Sequence, residues 1–342
     1  MAEPGGPAAA ILEAADRHFG LPGPLEASPL RGGLNNFTFC VRTAGGRYAA
    51  RLYRNLDPPV IRREHALLRL LASAGLSFAV PVPLAGRGGE TIAPTALGSL
   101  ALFSWVDGDA ADGGNPAHLR AMGAALAELD DRLLHLDARL HHLPGPAAPV
   151  HGQLELVHPA VPVPAALADR LAAHPALQPA EAELRWLRAA TAECAEALPR
   201  LYGTLPRQWI HQDLALTNVL QAGGRVTGLL DFEFSDYDLR ALDLVAALSN
   251  CTSLQEEAGW AQAGAICAGY CRRVRLSEAE VLAVPLLMRL RHVVVNLHGA
   301  GRWLAGLNPV EEVLRRLRDG AACDGALRRQ AGRLEELVRN PP

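Results

Sequence analysis

The spacing of apolar residues changes once along the chain, near Trp105, and that change limits what the chain can fold into. Before it, short segments run between turns. Phe37, Phe39 and Val41 alternate across "FTFCVRT", the period of a half-buried strand. The turn "AGGR" leads to a further strand in "YAARLYR". A short helix over Ala8–Phe19 and a strand in "LEASPL" come first. Asp57 with Pro58 and Pro59 starts a helix that runs through Ile61, Leu67, Leu68 and Leu71 and stops near Gly75. "AVPVPL" and "SLALFSW" read as two more strands. After Trp105 the pattern becomes helical. Apolar residues at 119, 122, 126, 129, 133, 136 and 140 form one continuous core-facing stripe. Residues 141–180 read as loop with short helices, Glu181–Leu201 as helix, and most of the chain after Asp243 as helix. The expected organisation is a sheet-rich lobe over 1–105 and a larger, mostly helical lobe over 106–342, an α+β chain.

Two segments break the helical pattern. "WIHQDLALTNVL", residues 209–220, begins as a buried strand and then sets His211, Asp213 and Asn218 among small and apolar residues. "GLLDFEFSDYDLRALDL", residues 228–244, leaves an apolar strand and runs into Asp231, Glu233, Asp236, Asp238 and Asp243. A hairpin turned by Gly223 and Gly224 joins them, so two aspartates and an amide can converge at its base. Mg²⁺ takes hard oxygen ligands and keeps several waters. Asn218 and Asp231 suit it, with phosphate oxygens completing the shell. Asp213 is then left to orient a substrate hydroxyl and accept its proton. "HQDLALTN" matches the H-R-D-x-x-x-x-N of kinase catalytic loops with Gln for Arg, and "LLDFE" stands where D-F-G would.

Composition narrows the class. The chain has 342 residues and a formal net charge of −3, which excludes a globally basic nucleic-acid binder. No apolar run approaches the ~20 residues that span a bilayer, and the start of the chain lacks a signal-peptide pattern. A cytoplasmic protein without nucleic-acid or membrane partners is expected. The six cysteines form no CxxC pair and read as small buried hydrophobes of a reducing compartment. All 33 basic residues are arginine, so a missing lysine at a functional position is weak evidence of lost function.

With both motifs in hand, the chain resembles the aminoglycoside phosphotransferase/choline kinase/homoserine kinase superfamily, whose fold is similar to that of protein kinases. The resemblance runs from the glycines near Arg31 to the helices after Asp243. "LRGGLNNFTFCVRTAGGRYAARLYR" and "DFEFSDYDLRALDL" are most similar to the bacterial homoserine kinase type. The resemblance implies a bilobal protein-kinase-like fold: a small antiparallel sheet with one main helix, and a helical lobe. It implies an ATP- and Mg²⁺-dependent transfer to the hydroxyl of a small molecule, an amino-alcohol or a hydroxy-amino acid such as homoserine. The alternatives are an aminoglycoside acceptor and a catalytically silent nucleotide-binding module.

Carried over by position, Asp213 is the base, and Asn218 and Asp231 hold the metal. Glu233 assists the metal or faces the substrate. His211 braces the catalytic loop and Asp243 holds it from behind. Gly32, Gly33, Asn35 and Asn36 cover the ATP phosphates, and backbone groups of Ser104 to Val106 meet the adenine. Arg51 stands in place of the usual phosphate-binding lysine, with Glu64 as its helix partner; a surface ion pair is the plainer reading of these two. Asp236 and Asp238 are either solvated loop charges or an acidic wall for a substrate ammonium. In "LRHVVVNLHGAGRW", Arg291, His292, Asn296, His298 and Arg302 punctuate an apolar helix. It is either a core helix with a polar stripe or a wall of the acceptor pocket, where Arg302 would suit a carboxylate.

Overall fold

The computed structural model describes residues 6–30, 36–54, 56–143 and 150–342, so Gly32, Gly33 and Asn35 lie outside the described residues. In chain order the first elements are α1 (Pro7–Ala14), β1 (Glu26–Pro29), β2 (Phe37–Thr43), β3 (Gly46–Tyr53), α2 (Pro58–Ala72), β4 (Ala93–Thr95), β5 (Gly98–Ser104), β6 (Asp109–Ala110) and α3 (Pro116–Leu140). Then come α4 (Leu167–Ala172), α5 (Glu181–Thr204), β7 (Arg207–Ile210), β8 (Val219–Ala222), β9 (Arg225–Leu229) and β10 (Asp236–Leu239). Four helices close the chain: α6 (Ala241–Cys251), α7 (Glu257–Tyr270), α8 (Glu278–Leu304) and α9 (Val310–Arg339). Contacts divide the chain into two compact units. The first is Met1–Ala111, His135–Pro146 and Thr217–Glu233; the second is Asp112–Leu134, Ala147–Leu216 and Phe234–Pro342.

In the first unit an antiparallel sheet runs β1-β2-β3-β5-β4. Its core joins Ile11 of α1 to Val41, Ala50, Leu52, Leu100 and Leu102, the inward positions of alternating strands. Helix α2 begins after Asp57, with prolines in a first turn that needs no N–H donors. It buries Ile61, Leu68 and Leu71 on one face, and Glu64 beside them. A carboxylate on the buried face is costly unless something answers it. The expected strand at "AVPVPL" is not a strand: Pro81 and Pro83 lack the N–H a ladder needs. Only bridges from Ala79 to Gly228 and from Pro83 to Phe103 form, and β4 takes the sheet edge. A second sheet, β6-β8-β9, carries the hairpin. Gly223 and Gly224 have φ of 57° and 75°, the left-handed pair that a two-residue hairpin turn requires.

In the second unit β7 pairs antiparallel with β10, Asp236 opposite Ile210. The helices pack with α8 central, against α5, α6 and α9. Ser277 and Glu280 form a reciprocal capping box at the start of α8. By length and composition alone α8 is long and apolar enough to cross a membrane, although it holds no unbroken apolar run of that length. Arg289 and Arg291 interrupt its apolar run and hid it from a search for unbroken apolar sequence. Most of its apolar window is buried within the protein. Helices α3 and α7 meet backbone to backbone: a Cβ on Gly123 would strike Ile266 O, and one on Gly269 would strike Arg120 O.

Candidate active site

In the first unit Arg51 projects from β3 and meets three carboxylates. Its Nη1 lies 3.0 Å from Asp231 Oδ1, 3.3 Å from Glu64 Oε1 and 3.8 Å from Glu233 Oε2. The Arg51 and Glu64 side chains are 16% and 5% exposed, so the surface-pair reading does not hold. Tyr53 Oη donates to Glu64 Oε2 at 2.8 Å, and Asn36 Nδ2 donates to Glu233 Oε2 at 2.7 Å. Burial disfavours the Arg51 charge. Asp231, Tyr53, Glu64 and Glu233 outweigh that, and its pKa lies well above the ordinary value.

The hairpin fixes the remaining pair. Val219 faces Leu229 in the ladder, and Leu230 N donates to Asn218 O at 2.8 Å. Asn218 and Asp231 therefore emerge at the same end. Asp231 has a φ of 66°, a left-handed conformation that costs a non-glycine residue about 1 kcal/mol or more. Its Oδ1 is buried without a hydrogen-bond partner among the described residues, although Arg51 stands close enough for an ion pair. An underused hard oxygen, on the residue that leaves the hairpin at the same end as Asn218, fits a hard divalent cation that takes one or two protein ligands and completes its shell with phosphate and water.

The N–H of Ser104 is committed to Val82 O at 2.8 Å. Its hydroxyl accepts from Val82 N. The Ser104 N–H is therefore not available for a further backbone contact.

In the second unit the strand β7 delivers the segment from His211 to Asp213. The backbone N–H groups of His211 and Gln212 both donate to the fully buried Asp243 carboxylate, at 2.8 Å each. His211 Nδ1 accepts from Asp213 N at 3.2 Å. Gln212 has a φ of 68°, like Asp231 a non-glycine residue in the left-handed region. Behind Asp243 lies Asp130 of α3, which accepts from Tyr270 Oη of α7 at 2.5 Å. Burial, with Asp243 adding to it, pushes the Asp130 pKa well above the carboxylate range.

Asp213 Oδ1 accepts from Arg291 Nη2 at 2.9 Å and from Asn250 Nδ2 at 3.1 Å. The sequence sets Arg291 among the polar residues of a helix that reads as either a core helix or a wall of the acceptor pocket, without linking it to Asp213, and nothing in the sequence singles out Asn250. Asp238 corrects the acidic-wall reading. It is fully buried, accepts from Tyr202 Oη at 2.5 Å and from Leu239 N at 2.7 Å, and pairs with His151 Nδ1 at 3.1 Å. Asp236 binds Tyr237 N at the start of β10. Arg302 is buried and donates through Nε to Asn308 at 3.0 Å. The six cysteines are all free and buried.

One titration follows from this geometry. Burial pushes the Glu64 carboxyl from 4.5 up to about 7, against the pull of Arg51 and Tyr53. Between those values the folded state holds a proton that the unfolded state has released. This contribution is full below 4.5 and is lost as pH rises through about 7. Unliganded wild-type protein is expected to lose stability relative to Glu64→Gln between pH 5 and 8, by up to about 3 kcal/mol. Urea unfolding of both proteins across that range measures it. Parallel pH curves would show that Glu64 titrates normally.

The model of the APH phosphotransferase enzyme family matches residues 26–281. A homoserine kinase of Gluconacetobacter diazotrophicus is 32% identical over 257 residues, 75% of this chain and 74% of its own. Among solved structures, an amicoumacin kinase in complex with AMP-PNP, Ca²⁺ and Ami superposes with a TM-score of 0.67 at 15% identity, covering 94% of each chain. A microcompartment-associated aminopropanol kinase superposes with a TM-score of 0.65 at 17% identity, covering 96% of this chain and 99% of its own. The fold is the protein-kinase-like one of these enzymes, a five-stranded antiparallel sheet with a large helical complement.

Proposed function

We propose, from the premise that the chain belongs to the APH phosphotransferase enzyme family and is a small-molecule phosphotransferase, that it transfers the γ-phosphoryl group of ATP to the hydroxyl of a hydroxy-amino acid. The observation that carries this reading is Asp213, a carboxylate held by two side-chain donors on a loop whose backbone is pinned by Asp243. Homoserine kinase relatives at about one-third identity favour that acceptor class.

In this reading Asp213 orients the attacking oxygen and takes its proton. Asn218 and Asp231 hold the divalent ion, which we take to be Mg²⁺. When bound it supplies positive charge to the triphosphate. Arg51 contributes a second cation toward the phosphates, and its planar fork can bridge two oxygens where a lysine would offer a point charge. Asn36, already tied to Glu233, would place the end of the phosphate-covering segment. Residues 1–105 then serve as the nucleotide-binding lobe and 106–342 as the catalytic and acceptor-binding lobe, with the hairpin lending Asn218 and Asp231 to the nucleotide. Most of the rate gain comes from positioning and electrostatics.

The test is ATP turnover with Mg²⁺ across homoserine, choline, 3-aminopropan-1-ol and an aminoglycoside. Homoserine is expected to stimulate turnover most. Stimulation confined to the aminoglycoside would assign the other acceptor class. Nucleotide binding without turnover on any acceptor would assign a silent module.

A further inference from the structure

Arg291 is more than a brace. It lies in the middle of α8, is 9% exposed, and has Asp213 as its one hydrogen-bond partner among the described residues. Its Nε is buried with no acceptor. A guanidinium offers five donors, and the Nε donor of this one is left unanswered. Burial lowers its pKa, Asp213 opposes that, Arg316 adds a like charge, and Asp243 adds a further negative one. Arg316 itself is answered by Glu312 at 2.7 Å. The nearby His292 and His298 are pushed down to about 4 by burial and are neutral at physiological pH. The buried Nε, without an acceptor among the described residues, leaves Arg291 a donor for one more anion.

Geometry limits which anion. Arg291, Val295, His298 and Arg302 share one stripe of α8, at the four-three-four spacing of a single helix face. Arg302 is ~16 Å further along that stripe. A four-carbon hydroxy-amino acid with its hydroxyl at Asp213 places its carboxylate about four bonds away, roughly 5 Å. That span reaches the Arg291 end of the stripe and not Arg302. Arg302 is also engaged with Asn308.

We infer that Arg291 is a specificity-determining residue that receives the α-carboxylate of the acceptor while the acceptor hydroxyl meets Asp213. This rests on the hydroxy-amino acid reading above. A guanidinium already hydrogen-bonded to the base has its fork fixed in direction, and a carboxylate ligand takes the remaining donors as charge-assisted hydrogen bonds.

The experiment compares homoserine with 3-aminopropan-1-ol, the same molecule without its carboxylate, in wild type, Arg291→Gln and Arg291→Lys. Any loss of Asp213 positioning falls on both acceptors and cancels in the ratio of their kcat/KM values. The wild type is expected to favour homoserine. In Arg291→Gln that ratio is expected to fall by roughly 10- to 100-fold, the effect of one charge-assisted contact. Arg291→Lys keeps the charge without the fork and is expected to lie between the two. Equal losses on both acceptors, with the ratio unchanged, would overturn the carboxylate role and leave the proposed function standing. Wild-type turnover with neither acceptor would overturn both. Where Arg291→Gln does not fold, the lysine variant and the wild-type ratio decide: a wild type indifferent to the carboxylate refutes the inference.

Discussion

Replacing Asp213 with Asn is expected to lower kcat by between roughly a hundred- and ten-thousand-fold, the range of a lost general base. The nucleotide affinity is expected to change little, because the groups assigned to it belong to other residues. The amide keeps the shape and can still accept from Asn250 and Arg291, so the loop retains its register through Asp243. The variant should nevertheless melt a few degrees lower, since Arg291 loses the charge that answers it. Stopped assays on the preferred acceptor, with calorimetric nucleotide titration alongside, separate these effects. A kcat within tenfold of wild type would remove Asp213 from the chemistry.

The second large effect belongs to Asp231. In Asp231→Asn, the strengthening of ATP binding by Mg²⁺ is expected to disappear, and turnover is expected to fall more than about a thousandfold, in keeping with several kcal/mol of lost charge stabilisation. The reason is local. Asp231 offers a buried oxygen that has no hydrogen bond among the described residues, from a left-handed backbone conformation. Arg51 is expected to stay ordered, because Glu64 and Glu233 remain beside it. ATP titrations with and without Mg²⁺ read the result directly. A variant whose affinity still rises with Mg²⁺ to the wild-type extent would show that the ion is held elsewhere.

What the sequence discloses about this molecule follows from the range of the forces involved. The strands β2, β3 and β5 and the helices α2, α3 and α5 are legible because each carries its own period and end signals. The bases of the hairpin are legible because two apolar strands run into polar residues at fixed distance. "DYDL" is not legible as a strand: its alternation is charged and aromatic, and its pairing with β7 is decided by residues almost thirty positions away. The same holds for Asp238, whose burial depends on Tyr202 and His151. Arg51 with Glu64 could be read only as a pair; that Asp231 and Glu233 also converge on it is a property of the folded unit. Arg291 and Asn250 reach Asp213 from two late helices, and no local pattern announces that meeting.

The close approach of α3 and α7 has a consequence for how this enzyme can vary. Gly123 and Gly269 admit no methyl group, and the distance they set allows Tyr270 to reach Asp130. Asp130 backs Asp243, and Asp243 carries the two amides that precede Asp213. A mutational scan scored on activity alone would therefore return two inert glycines among its most sensitive positions. Their intolerance would record the placement of a carboxylate that neither of them touches.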